Sequence, residues 1–260
     1  MKNRTRFCAF RRWIQCAFFL FLFHLMPAQA FAQALSGSTL LERVENLLWG
    51  NTLQGEFDMT IQTPRWQRTL ALGVWMDRPT RSLIRIQAPA KEAGITSLRI
   101  GNEMWNYLPS VERTIKIPPS MMLQPWMGSD FTNDDLVKQS SIVNDYTHKV
   151  EEKVQDGVAV YQVESTPRPD AAVVWGKIVY RIRKADHIPL SEEFYSESGE
   201  LIRILSFSEV RTVDGRLIPT RWEMRPLAKP GNLTTVLVKD AVFDRPLAAE
   251  IFTQRNLQKR

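Results

Sequence analysis

The chain is predicted to be mainly β, α+β by strict count: a strongly curved or partly closed antiparallel sheet with a few short helices over it. Three observations carry this expectation. Polarity alternates with period two over stretch after stretch from residue 53 onward. Turn signals separate those stretches, at Asp156-Gly157, Ser198-Gly199, Asp214-Gly215 and Pro230-Gly231. Many stretches run to eight or more residues with only short turns between them, which argues for a meander and against a βαβ array.

The elements follow in order. Residues 1–12 hold Lys2, Arg4, Arg6, Arg11 and Arg12 and no acid, residues 13–26 (WIQCAFFLFLFHLM) are nearly all apolar, and small-x-small triplets fill 28–34. This is the pattern of a secretory signal peptide over 1–32, cut within 30–34, leaving one domain over 33–260. The apolar run is short for a membrane span. TLLERVENLLW (39–49) places Leu40, Leu41, Val44, Leu47 and Leu48 on one helical stripe, with Thr39 and Glu42 at capping-box spacing and Gly50 as the stop. Strands are then expected at 53–62, 66–77, 80–88, 95–101, 103–108, 112–117, 147–155, 158–166, 175–184, 190–197, 200–211, 216–226 and 233–243. Two more short helices are expected: 133–138, capped by Thr132, and 246–257, with Pro246 in its first turn.

Between the sixth and seventh strands lies SMMLQPWMGSDFTNDD (120–135). Pro125 inside it and Pro118 and Pro119 before it exclude a regular helix or central strand. An apolar segment in irregular conformation is therefore expected. Methionine is unbranched and adaptable, so Met121, Met122, Leu123, Trp126 and Met127 fit either a deformable lid over the concave face or a permanent plug that completes the core. Several strands are apolar on both faces, as at Val74-Trp75-Met76 and Met104-Trp105-Tyr107-Leu108, so they need cover on both sides. Helix 39–49, loop 118–131 and the short helix after it are the expected cover.

Charge and reactive side chains point away from several functions. The chain holds 34 basic and 28 acidic residues for a net +6, but five basic residues and no acid lie in 1–32, so the remainder carries +1. That balance gives little reason to expect a nucleic-acid partner. Cys8 and Cys16 both lie in the signal. His148 and His187 are isolated from one another, and no cofactor or metal motif occurs. Asp130, Asn133, Asp134 and Asp135 lack the calcium-loop spacing and are better explained by helix capping. Glu192 and Glu193 are strand neighbours on opposite faces and cannot form an acid–base couple. Ser120 and Ser129 have no base beside them. No enzyme is expected.

EMWNYLPSVERTIKIPPSMMLQPWMGSDFTNDDLV (103–137) resembles the signature stretch of outer-membrane lipoprotein-sorting proteins, the LolA-like periplasmic lipoprotein and lipid carriers. The matching pieces are Trp105, Tyr107 and Pro109 in W-x-Y-x-P, Arg113 and Lys116 in ERTIKI, the block 127–135, and IFTQRNL (251–257). The resemblance implies an incomplete β-barrel with helices and a loop closing its mouth, and a cavity for acyl chains. It implies a monomeric, non-enzymatic carrier in the periplasm, with no cofactor. An inner-membrane exporter of the RND type and an outer-membrane acceptor are the implied partners. Under that reading Trp66, Trp75, Met104, Trp105 and Tyr107 line the cavity, together with lid residues Met121, Met122, Leu123, Trp126 and Met127. Leu40, Leu41, Val44, Leu47 and Leu48 form a helical lid. Arg113 and Lys116 meet a headgroup or partner, or else form the solvated face of an edge strand. The alternative function is a periplasmic sensor or adaptor that binds a membrane-protein segment.

Overall fold

A computed structural model of the protein describes residues 35–137, 142–171 and 173–259. The expected signal peptide lies outside these residues. Thirteen strands occur among them, within about two residues of where alternation puts them. The first six are β1 (Thr52–Gln62), β2 (Gln67–Asp77), β3 (Arg81–Ala88), β4 (Thr96–Ile100), β5 (Glu103–Leu108) and β6 (Arg113–Lys116). The other seven are β7 (Tyr146–Gln155), β8 (Val158–Pro167), β9 (Lys177–Arg183), β10 (Pro189–Tyr195), β11 (Leu201–Val213), β12 (Arg216–Pro226) and β13 (Leu233–Phe243). All belong to one antiparallel sheet, ordered β6-β5-β4-β3-β2-β1-β13-β12-β11-β10-β9-β8-β7.

The sheet is therefore two meanders joined at a seam. β1 pairs with β2 along its length and with β13 on its other side, from Leu53 opposite Phe243 to Gln62 opposite Leu233. β6 and β7 are the two free edges, so the sheet curls without closing. A twisted sheet this wide must curl or split. Register shifts at Glu56/Phe57 in β1, Ala71/Leu72 in β2 and Phe194/Tyr195 in β10 add local bends. The chain between the two free edges carries the apolar loop and two short helices, α2 (Asn133–Val137) and α3 (Ile142–Asp145).

Helix α1 (Gly37–Trp49) buries Leu40, Leu41, Val44 and Leu48 against the sheet. Its cap differs from the expected one: the Ser36 hydroxyl accepts from the Thr39 amide, so Thr39 sits inside the first turn. Gly37 has to be glycine, because a Cβ there would lie 2.3 Å from the Cβ of His148 on β7. Gly50 ends the helix at φ +61°. Two arginines take up carbonyls of the last turn: Arg78 donates to Gly50 at 2.8 Å and Arg216 to Asn46 at 2.8 Å. Both ends of α1 are thus tied to the sheet.

The C-terminal segment also departs from expectation. It is a 3-10 turn, Ala249–Phe252, followed by α4 (Gln254–Leu257), and Pro246 precedes both. The Thr253 hydroxyl accepts from the Asn256 amide at 3.2 Å and starts a new helix there, which splits the expected single one. This segment covers the convex face. Phe252 and Leu257 pack with Leu83, Leu98 and Tyr107, with Trp75 and Trp105 at the margin. The larger core lies on the concave face, under α1 and the apolar loop.

Candidate functional site

The concave face and its cover enclose a cavity of about 230 Å³. Strand alternation builds its wall from residues two apart: Phe57 and Met59 on β1, Leu72, Val74 and Met76 on β2, Leu205 and Phe207 on β11, Trp222 and Met224 on β12. Leu41, Val44 and Leu48 of α1 face them across the space. Trp222 is the fixed point of this wall. Its indole nitrogen donates to the Pro219 carbonyl at 2.9 Å, and its ring meets Trp49 edge-on at 5.0 Å and Phe57 at 6.0 Å.

The apolar loop closes part of the mouth and is firmly built. Trp126 is 1% exposed, lines the cavity, and donates from its indole nitrogen to the Ser97 hydroxyl at 2.9 Å. Ser97 in turn donates to Asn106 Oδ1 at 2.7 Å, which fixes the acceptor. Further bonds hold the loop at both ends: Trp126 N–H to Phe131 C=O at 2.7 Å, Asp134 N–H to Met122 C=O at 2.8 Å, and Asn133 Nδ2 to Met121 C=O at 2.9 Å. Thr132 and Asp135 cap each other at the start of α2, the hydroxyl accepting from the Asp135 amide and the carboxylate from the Thr132 amide.

One end of the cavity is polar. Glu45 from α1, Tyr146 from β7, Tyr180 from β9, Glu192 from β10, and Asp134 and Asp135 from α2 all line it. Asp135 is held by Arg203 through two bonds, at 2.8 and 2.5 Å, and the Arg203 guanidinium lies over both Trp175 (4.5 Å) and Phe194 (4.4 Å), whose rings meet at 5.2 Å. Glu45 pairs with Arg78 at 2.5 Å; burial still outweighs that pull and pushes its carboxyl up to about 7. Glu192 is pushed up to about 8 by burial, with Asp135 and Glu45 adding to the rise and Arg203 opposing it. Burial raises Tyr146 to about 12 and lifts Tyr180 well above its ordinary value. Glu193, the neighbour of Glu192, faces the other way and bonds Arg181 and the Tyr195 hydroxyl.

Of the residues singled out from sequence, Leu41, Val44, Leu48 and Trp126 line the cavity. Trp75, Trp105 and Tyr107 do not: they point to the convex face, because Val74, Met76 and Met104 take the concave positions and strand neighbours alternate. Trp66 is 45% exposed in the β1–β2 turn, beside Arg68. Met104 and Leu40 are buried in the concave core, off the cavity wall. Leu47, Met122 and Met127 pack at the edge of that core, while Met121 and Leu123 are exposed. Arg113 is exposed on edge strand β6, and Lys116 pairs with Glu103 across β5–β6 while its ammonium lies over Trp105. The sequence reading missed Glu192, Glu45, Tyr180 and Trp222. The signal for Glu192 was its parity: it shares a strand face with Phe194, an apolar position.

A family model described as an uncharacterized protein matches residues 78–259, more than half of the chain. The chain belongs to that family. Among solved structures, it resembles a DUF1329 family protein from Desulfovibrio piger at a TM-score of 0.77 and 23% identity, covering 85% of this chain and 98% of that one. An outer membrane lipoprotein-sorting protein domain from Vibrio parahaemolyticus aligns at 0.74 and 21% identity, covering 86% and 98%. A LolA superfamily protein from Nitrosomonas europaea aligns at 0.73 and 22% identity, covering 86% and 100%. These likenesses show the fold: a LolA-like, unclosed antiparallel sheet with few helices. No curated protein matches the chain.

Proposed function

We propose that the protein is a non-enzymatic periplasmic carrier that shields the acyl chains of a lipoprotein or lipid in its cavity during transfer toward the outer membrane. The observation that carries this reading is the cavity itself, an apolar space enclosed between a curved sheet and a helical cover. A chain of 16 methylenes in water forfeits on the order of 12 kcal/mol, at about 0.8 kcal/mol each. An aqueous compartment between two membranes therefore needs a protein that offers such a space. The LolA-like fold supports the assignment, as does the likeness to the lipoprotein-sorting domain of Vibrio parahaemolyticus. The signal-like segment 1–32 supports export. An inner-membrane exporter of the RND type and an outer-membrane acceptor are the partners this role needs.

The test is native mass spectrometry of the protein purified without detergent from its own cells, followed by lipid extraction. The expected result is a co-purified acylated species, whose mass names the cargo. An empty protein that also fails to bind added lipid overturns the carrier reading, and the sheet then serves as an adaptor for a membrane-protein segment.

A further inference from the structure

The polar end of the cavity has a one-sided charge. Four carboxyl groups line the space, those of Glu45, Asp134, Asp135 and Glu192, and among the described residues no lysine, arginine or histidine lines it. Two guanidinium groups pair with these acids without lining the space, Arg203 with Asp135 and Arg78 with Glu45. Glu192 differs from the other acids. It is half-buried, it opens onto the cavity, and it makes no hydrogen bond or ion pair among the described residues. A carboxyl turned into a largely apolar space without a partner is costly, and the space in front of it is open to a ligand.

We propose that the cavity selects an amphiphile whose polar group is a protonated amine, with the Glu192 carboxylate receiving it. The proposal rests on the carrier reading and names the headgroup class that the carrier takes inside. An anionic head placed here would meet four carboxyl groups and no free cation. An ammonium group meets a carboxylate in an apolar setting, where a charge-assisted hydrogen bond is strong. The Tyr180 hydroxyl, directly across from Glu192 in the β9–β10 register, and the Tyr146 hydroxyl line the same end and can share the ammonium hydrogens.

The protonation of the site gives the proposal a signature. In the empty cavity burial holds the Glu192 proton up to about pH 8, with Glu45 and Asp135 adding to the effect and Arg203 opposing it. At neutral pH the carboxyl is therefore neutral. An arriving ammonium favours the carboxylate, the O–H bond breaks, and the proton passes to solvent. Amine uptake below pH 8 is thus coupled to release of about one proton, and amine affinity rises with pH until the site is ionised.

The experiment is isothermal titration calorimetry of the folded protein with dodecylamine, dodecanol and dodecanoic acid, in two buffers of different ionisation enthalpy. The expected result is that the amine binds at least about tenfold more tightly than the acid. Its heat should show proton release at pH 6.5 that is absent at pH 9. Glu192→Gln should abolish both the preference and the proton release while dodecanol affinity stays within about twofold, which also reports that the variant is folded. Equal binding of amine and acid, or a preference that survives Glu192→Gln, overturns the proposal. So does amine binding to the unaltered protein without proton release at pH 6.5. Failure of all three probes, dodecanol included, overturns the carrier reading as well; dodecanol binding without amine preference overturns this inference alone.

Discussion

The two faces of the sheet are built from one alternating pattern and end up doing different things. On the convex face, Leu83 and Leu98 are fully buried because the C-terminal segment presses Phe252 and Leu257 onto them. On the concave face, Phe57, Val74, Phe207 and Trp222 are just as apolar, and the cover over them leaves a space unfilled. The difference lies in what stands opposite. Alternation says that a face is dry; the shape of its cover decides whether it is core or container.

That contrast can be broken by substitution. Trp126→Ala removes the largest side chain of the apolar loop together with its bond to Ser97, and should lower stability by about 3–5 kcal/mol in denaturant unfolding and open the cavity mouth. Leu98→Ala on the convex face should cost about 2–5 kcal/mol and leave lipid affinity unchanged, since its cavity forms in packed core. Val74→Ala on the concave wall should cost less than Leu98→Ala, because part of its surface already faces empty space, and it should shift lipid affinity. If the two cost the same and neither touches lipid binding, the faces are equivalent and the container is merely an imperfect core.

A pH experiment sharpens the same contrast. Glu192 titrates at about 8 in the folded chain against an ordinary 4.5. Below pH 4.5 both states hold the proton and nothing is lost. From there to about 8 the unfolded chain ionises while the folded one does not, so stability falls with rising pH, and above 8 the loss is complete. Glu192→Gln should therefore raise the thermal midpoint at pH 8 by at least about 2 °C relative to pH 5, leaving a shallower slope from Glu45 between 4.5 and about 7. An unchanged pH profile would mean that Glu192 reaches water. The smallest effect belongs to the outside of the loop: Met121→Ser with Leu123→Ser should change stability by no more than about 0.5 kcal/mol, because both side chains are already exposed.

The strands were legible in the sequence because period two is a local signal and the turn pairs are local chemistry. The seam was not. Nothing in the residues of β1 or β13 says that they are neighbours, since both alternate in the same way and lie at opposite ends of the domain. Facing was half legible. Trp75, Trp105 and Tyr107 had the right partition against Val74, Met76 and Met104, but the tryptophans went to the convex face, whose cover comes from a segment that reads as an ordinary terminal helix. The cap of α1 shows the same limit on a small scale: Thr39 and Glu42 have the spacing of a capping box, yet Ser36 begins the helix earlier. Glu192 was read only as a strand neighbour of Glu193 on the opposite face, because which of the two faces inward depends on the strands and the cover packed around them.

The seam between β1 and β13 also sets a clock. Leu53 finds Phe243 only after nearly the whole domain has been made, and a ribosome or export channel delivers the chain from its N-terminus. Six strands can zip into a meander early, and seven more can follow, but the bowl has no second wall until the last strand arrives. Pairings this distant in sequence are slow to form. A half-delivered chain therefore shows its greasy inner surface with nothing to enclose, and the enclosed space appears in a single late step rather than growing strand by strand.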